Sequence, residues 1–211
     1  MRSLVELRFE DDALAQSFVA RIPDLQARHR ALGLTDDESR ATIEALPRHV
    51  MLHRACGGDP GGWEVDWIET IWAGKLSELG RLQFEDHGDG VLDVHIPETG
   101  SPLDPNACDA SFERAREVYP SHHTAQCTSW LLDPQLAETL PRASNIVRFQ
   151  HRFELRDEGR EANDDVLRFV FHTYEPDLDR LIPQTTLERA LVERMREGGT
   201  WRAPTGVTSL R

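Results

Sequence analysis

The chain has 211 residues and a net charge of −13 at neutral pH. That length holds one domain, or one with a small appendage, and is enough to bury a real core. The acidic balance argues against nucleic acid or an anionic membrane surface as a partner, although local arginines and backbone amides can still receive an anionic cofactor.

Cys56, Cys108 and Cys127 lie far apart with no CxxC spacing. Reduced thiols and a cytoplasmic protein are expected. No apolar run approaches 18 residues, so no membrane span is expected. The opening MRSLVELRFEDD is too acidic and polar for a signal peptide.

In chain order, Leu14, Phe18 and Ile22 have helical spacing and stop at Pro23. A second helix is expected from Asp24 to about Leu32. Thr35 to Glu38 forms a capping box, which opens a helix that ends or kinks near Pro47. A short helix from Pro47 to Cys56 follows. His49 and His53 are four apart on it, a spacing compatible with a metal, but no third ligand is nearby and no metal is expected. Gly57 to Gly62 reads as a loop. Trp63, Trp67, Ile71, Trp72, Leu76 and Leu79 fall on a helical stripe, read as core docking a helical region onto a sheet.

The clearest signal is Gly80 to Leu103. Leu82 and Phe84 alternate with Arg81, Gln83 and Glu85; Leu92, Val94 and Ile96 alternate with Asp93 and His95. Asp86 to Gly90 supplies glycines for a turn, so a β-hairpin is predicted, with Gln83 beside Asp93. The polar residues then share one face, which is either half-solvated or turned to a substrate. A loop with Gly100 and Pro97, Pro102 and Pro105 leads to a helix from about Asn106 to Tyr119, packed through Ala107, Ala110, Phe112, Ala115 and Val118. Such a strand, glycine turn and helix can offer amides to a phosphate. Neither GxxxxGK(S/T) nor GxGxxG is present.

Pro120 to His123 reads as a solvated turn, and Thr124 to Asp133 as a strand buried on both faces. Asp133-Pro134 reads as an N-cap with proline at the first helical position. Ser144 to Glu158 and Val166 to Tyr174 are predicted as two antiparallel strands. Thr185 to Glu188 is a second capping box, opening a helix with a Leu187, Leu191 and Met195 seam. The tail with Trp201 gives no clear signal. The order fits an α/β or α+β fold with a mixed sheet.

LGRLQFE, DVHIPETGSPL, CTSWLLDPQLAETLP and SNIVRFQHRFEL, in that order, resemble the GNAT-like C-terminal domain of a group of bacterial acyltransferase-domain proteins. LGLTDDESRATIEALPRHVMLHR and the tryptophan stretch resemble the end of that group's helical N-terminal domain. Fewer residues precede this point than in that group, and Pro47 stands where a glycine is expected. The resemblance divides the chain into a helical region, 1–78, and a GNAT-like domain, 79–211.

The resemblance implies a GNAT-like mixed sheet and acyl transfer from acyl-CoA to a small-molecule amine, without a metal. The donor would lie in a splay between Val91–Ile96 and Ala125–Leu132. Backbone at Ile96 would take the thioester carbonyl, and Thr99, Gly100 and Ser101 the pyrophosphate. The (Q/R)xxGx(G/A) signature is absent there, and the helix after the second splayed strand has no tyrosine. His95 is the first candidate for the base that accepts the amine proton, because its ordinary pKa suits the task; Glu85 is the second, through water. Cys127 and Ser129 stand where a donor to the departing thiolate would sit. His95 as part of a hydrogen-bonded sheet face and Cys127 as a small buried residue are the structural readings beside these. Two other functions stay open: an inactive binding or scaffold module, and a carrier-protein donor docked on Arg142, Arg148 and Arg152. A homodimer is compatible with an open helical face.

Overall fold

The computed structural model describes residues 12–56, 63–174 and 177–210, apart from the side chains of 12–15, 53, 54, 63–66 and 68. The loop expected at 57–62 and the Leu14, His53 and Trp63 side chains therefore lie outside the described residues.

Two long helices open the described chain: α1, Asp12–Ala31, and α2, Asp36–Ala55. Both continue through the prolines at which breaks were expected, Pro23 and Pro47. An internal proline costs about 3 kcal/mol or more. Phe18 and Leu25 are buried around Pro23, and Ile43, Leu46 and Val50 around Pro47. Their packing outweighs the lost backbone bond. The first capping box forms as expected: Glu38 N–H donates to Thr35 Oγ1 at 3.2 Å, and Thr35 N–H donates to the Glu38 carboxylate at 2.7 Å.

After α3, Trp63–Trp72, the chain enters a sheet earlier than its pattern suggests. Leu76 and Leu79 belong to strand β1, Leu76–Leu79, and not to a helical stripe. Both are fully buried, Leu76 against the helices and Leu79 in the sheet core. A two-residue turn, Gly80-Arg81, leads to β2, Leu82–Asp86, which pairs antiparallel with β3, Val91–His95.

The hairpin register is two residues from the one expected. Gln83 faces His95 and Glu85 faces Asp93. Asp86 accepts from Gly88 N–H at 2.7 Å and Asp89 accepts from Val91 N–H at 3.0 Å. These Asx turns, with positive φ at Gly88 and Gly90, tighten the loop and lengthen the ladder. A shift of two keeps every side chain on its expected face.

Helix α4, Pro105–Val118, packs Cys108, Phe112, Ala115 and Val118 on the apolar sheet face. Ala110 is exposed and Ser111 takes a buried place instead. The turn after it is not wholly solvated: the His122 ring is nearly covered and meets Asp86 at 3.2 Å. Strand β4, Thr124–Thr128, runs parallel to β3. It ends well before Leu132, and only Ala125 and Cys127 are buried along it, so one face is core and the other is not. A single helical turn, Trp130–Leu132, follows.

The region after Asp133 departs most from expectation. It forms α5, Gln135–Thr139, and α6, Asn145–Gln150, then the short strands β5, Glu154–Leu155, and β6, Arg160–Glu161. Next come α7, Asn163–Phe171, and α8, Thr186–Arg196, and last β7, Arg202–Ala203, and β8, Thr205–Ser209. The first expected long strand opens with α6 and keeps only Glu154–Leu155 as strand, and most of the second is helix α7. The Ser144 hydroxyl opens α6 by capping Val147 N–H at 3.3 Å, Phe149 is buried from that helix, and Phe153 packs against it from the turn beyond its end. In α7, burial of Val166 and Leu167 overrides the β propensity of the segment. The second capping box and its Leu191 and Met195 seam form as expected.

The main sheet is mixed, in the order β1-β2-β3-β4-β8-β5, and β6 with β7 makes a separate ribbon. One core lies between the sheet and α4, a second among α1 to α3, and a third gathers α5 to α8 around Trp130 and Trp201. Among the described residues no helix is long and apolar enough to cross a membrane.

Asp133 joins two of these parts. Its buried carboxylate caps Gln135 N–H at 3.0 Å and accepts Arg202 N–H of β7 at 2.7 Å. Asp133→Ala leaves two backbone donors without partners. It should lower stability by about 2–4 kcal/mol in urea unfolding, well beyond the loss of an exposed cap. A loss below about 1 kcal/mol would reduce Asp133 to the simple cap that its sequence suggests.

Candidate functional site

The hydrogen-bonded register between β3 and β4 covers Val91 to Asp93 and Thr124 to Gln126. Gln126 donates to Asp93 at 2.6 Å at the end of that register. Both strands continue, to His95 and Thr128. Beyond the pairing opens a cavity of about 640 Å³, walled by Val94, His95 and Ile96 on one side and by Cys127, Thr128 and Ser129 on the other. The helical region and α7 complete it with Trp67, Arg48 and Arg168.

His95 is a half-buried part of the wall. Its Nε2 lies 3.0 Å from Glu85 Oε2, and the Trp67 ring meets it edge-on at 4.9 Å. Glu85 itself is buried behind the histidine and away from the cavity. Burial pushes the Glu85 carboxyl up, but the hydrogen bond and charge of His95, with His87 and Thr70, outweigh it and hold the group below its ordinary value. An ionised Glu85 accepts from Nε2–H, which leaves Nδ1 as the basic nitrogen of His95.

Of the polar sheet face, Gln83 and Glu85 are buried under the helical region, while Asp93 and His95 stay half-buried. Gln83 donates to Glu78 at 2.7 Å, Thr42 Oγ1 accepts Glu78 N–H at 2.8 Å, and the Arg48 guanidinium pairs with Glu78.

Cys127 lies in the wall with its thiol pushed up to about 12 by burial and by Asp93. Such a thiol is a packing group and is no nucleophile near neutral pH. Ser129 is half-buried; its Oγ accepts Leu131 N–H at 3.2 Å, so its own hydrogen is available to donate. Ile96, Thr99 and Gly100 line the cavity, whereas Ser101 does not; its carbonyl accepts from Arg81 at 3.1 Å. Of the expected basic patch, Arg142 and Arg148 are exposed, but Arg152 is tied to Asp109 at 2.5 Å and to the Pro105 carbonyl at 2.8 Å. Among the described residues no three His, Cys, Asp or Glu side chains gather as metal ligands.

Two features of the site have no local sequence signal. Trp67, expected in the core, is half-buried and walls the cavity. Glu98, in the loop after β3, turns its carboxyl to the same cavity, and among the described residues its buried Oε1 has no hydrogen-bond partner. Burial raises the Glu98 carboxyl to about 7, against the pull of Arg168 and Arg48.

Comparison with known proteins matches residues 76–208 to the GNAT-like C-terminal domain and residues 8–74 to the N-acyltransferase N-terminal domain. The chain belongs to the GNAT-like acyltransferases. Similar solved structures include an acyltransferase in complex with decanoyl-CoA and teicoplanin, at 32% identity and a TM-score of 0.81. An acyltransferase in complex with CoA and 10C-teicoplanin is 32% identical, at a TM-score of 0.79. One with decanoyl-CoA alone is 33% identical, at a TM-score of 0.82. In each case the match covers 97% of this chain and 69% of the other. Comparison with curated proteins gave no match.

In this GNAT-like acyltransferase the raised Glu98 carboxyl has a consequence for stability. The folded state holds its proton above the ordinary value of 4.5, so its stabilisation is full below that value and is lost as pH rises through about 7. Glu98→Gln keeps the neutral form at all pH. The variant should melt about 2–5 °C above the parent at pH 8, allowing for the group's partial exposure, and the gap should narrow towards pH 5. A gap that does not change with pH would rule out this titration.

Proposed function

We propose that this acyltransferase moves an acyl group from acyl-CoA to the amine of a small molecule by direct attack, with His95 as the base. The observation that carries this reading is the His95–Glu85 pair set into the wall of the cavity where β3 and β4 separate. Family membership supplies the reaction class. The solved relatives with decanoyl-CoA and teicoplanin support a medium-chain acyl-CoA donor and a small-molecule acceptor.

The steps need few groups. The free amine attacks the thioester carbonyl, forming the C–N bond and an oxyanion. His95 Nδ1 takes a proton from the attacking nitrogen, and Glu85 stabilises the imidazolium through Nε2–H. The C–S bond breaks, Ser129 donates a hydrogen bond to the departing thiolate, and His95 returns the proton to sulfur. Wall and base are then restored. A covalent route through Cys127 is disfavoured by its raised thiol pKa and its burial. The three buried, free cysteines support a reducing compartment, hence a cytoplasmic location.

The test measures release of free CoA from acetyl-, octanoyl- and decanoyl-CoA with a panel of amines. Turnover is expected with at least one pair. His95→Ala should lower kcat by about 10²–10⁴-fold with donor affinity retained. Glu85→Gln removes the carboxylate charge and can turn an amide N–H towards Nε2, holding the wrong tautomer, and should lower kcat by about 10²–10³-fold. Acyl-CoA binding without turnover by the parent chain would favour the scaffold reading. Unchanged kcat in His95→Ala would remove the base from this role.

A further inference from the structure

The loop between β3 and α4 is held by a single side chain from another part of the sheet. Arg81 lies in the two-residue turn between β1 and β2, where Leu79 pairs with Leu82. Its backbone N–H donates to the Ser111 hydroxyl of α4 at 2.9 Å, so the turn is fixed to the helix. Its guanidinium donates to three loop carbonyls: Nε to Pro102 at 3.0 Å, Nη1 to Pro97 at 3.2 Å and Nη2 to Ser101 at 3.1 Å. The fork spans both ends of the loop. Among the described residues the bonds of this guanidinium are to carbonyls only, with no carboxylate.

This arrangement has two electrostatic effects. A carbonyl drawn one way turns the N–H of the next residue the other way, so the Glu98 and Leu103 amides leave the side of Arg81. The three carbonyls that would repel an anion are neutralised by a full positive charge that also lines the cavity. Helix α4 cannot provide this field through its own first turn, because Asp104 caps Ala107 N–H at 2.9 Å and places a carboxylate there. Within the loop Thr99 N–H donates to the Pro97 carbonyl at 3.0 Å and Ser101 N–H to Thr99 Oγ1 at 3.3 Å, which leaves the Gly100 amide, in a residue that lines the cavity, to meet the ligand.

We infer that Arg81 is a positioning residue for donor recognition: it shapes the 97–102 loop and charges it to receive the diphosphate of the acyl donor. This inference rests on the acyl-CoA reading above and assigns to Arg81 the part of donor affinity that comes from the diphosphate. Arg81 takes no part in the acyl-transfer step.

The experiment compares decanoyl-CoA with decanoyl-pantetheine, which has the same thioester and no diphosphate, in the parent chain, Arg81→Met and Arg81→Lys. In Arg81→Met, KM for decanoyl-CoA should rise at least about 10-fold with kcat within about 3-fold, and the kinetics with decanoyl-pantetheine should not move. Arg81→Lys keeps the charge but cannot bridge three carbonyls, so it should lose most of the same affinity. An equal loss for both donors would make Arg81 a general structural residue and overturn the inference, as would no loss for either. Full recovery in Arg81→Lys would overturn the positioning role in favour of charge alone. If Arg81→Met does not fold, the lysine variant decides on the same comparison. Failure of the parent chain to use either thioester would count instead against the acyl-CoA reading itself.

Discussion

Two buried carboxylates, Glu78 and Glu85, govern how the helical layer sits on the sheet. Both are almost fully covered, on strands β1 and β2, at the seam with the helices. A buried carboxylate is costly unless donors surround it. The helical layer provides them: Arg48 of α2 pairs with the Glu78 carboxylate and Thr70 of α3 donates to Glu85 at 3.1 Å, while Thr42 of α2 accepts the Glu78 backbone N–H. The sheet provides Gln83 and His95 in return. An apolar seam would let the layers slide. This one fixes α2 and α3 in a single place, and with them Arg48 and Trp67 of the cavity wall. His95 is oriented as part of the same requirement, because it is one of the donors that Glu85 needs.

The cavity depends on a second constraint, the point where β3 and β4 cease to pair. Below it the strands are held by a parallel ladder and by Gln126 on Asp93. Above it β4 keeps its other neighbour: β8 pairs with it along its whole length, from Thr124–Ser209 to Thr128–Thr205. The separation is thus one-sided, with β4 supported from behind by the last strand of the chain. Gly206 allows this, because a Cβ there would come within 2.7 Å of the Phe153 side chain. The end of the chain therefore positions Cys127 and Ser129.

What was legible in the sequence was mostly local. Both capping boxes, the hairpin faces, α4 and the parallel relation of β3 and β4 followed from spacing and turn chemistry, or from the family resemblance. Local signals failed where tertiary packing competes with them. Pro23 and Pro47 mark breaks in an isolated chain, yet buried neighbours keep α1 and α2 continuous. The alternation at Phe149 and Phe153 reads as strand, yet the Ser144 cap opens a helix that buries Phe149. Strand β8 is short and has Gly206 within it, so nothing in its own residues announces a central strand. In the site, His95 and Glu85 were visible as neighbours on one polar face, but their partner order was not, because a two-residue shift in register leaves the faces unchanged. Glu98, Trp67 and Arg168 meet at the cavity only through the fold.

Charge has to be read locally as well. A net charge of −13 should repel an anionic donor at long range, yet the cavity gathers Arg48, Arg81, Arg160 and Arg168 from four separate elements. These arginines are not equivalent. Arg48 is bound to Glu78 and Arg160 to Asp165, so each is largely neutralised by its own partner. Burial lowers the pKa of both Arg81 and Arg168, the sign of charges held in a poorly solvated place. The Arg81 charge, bonded there to carbonyls alone, is costly to hold and is offset when an anion arrives. Within a low-dielectric cavity one such charge acts far more strongly than many screened carboxylates on the surface. The acidic exterior and the cationic cavity are therefore compatible: the first acts at screened distances, and the second where the ligand is bound.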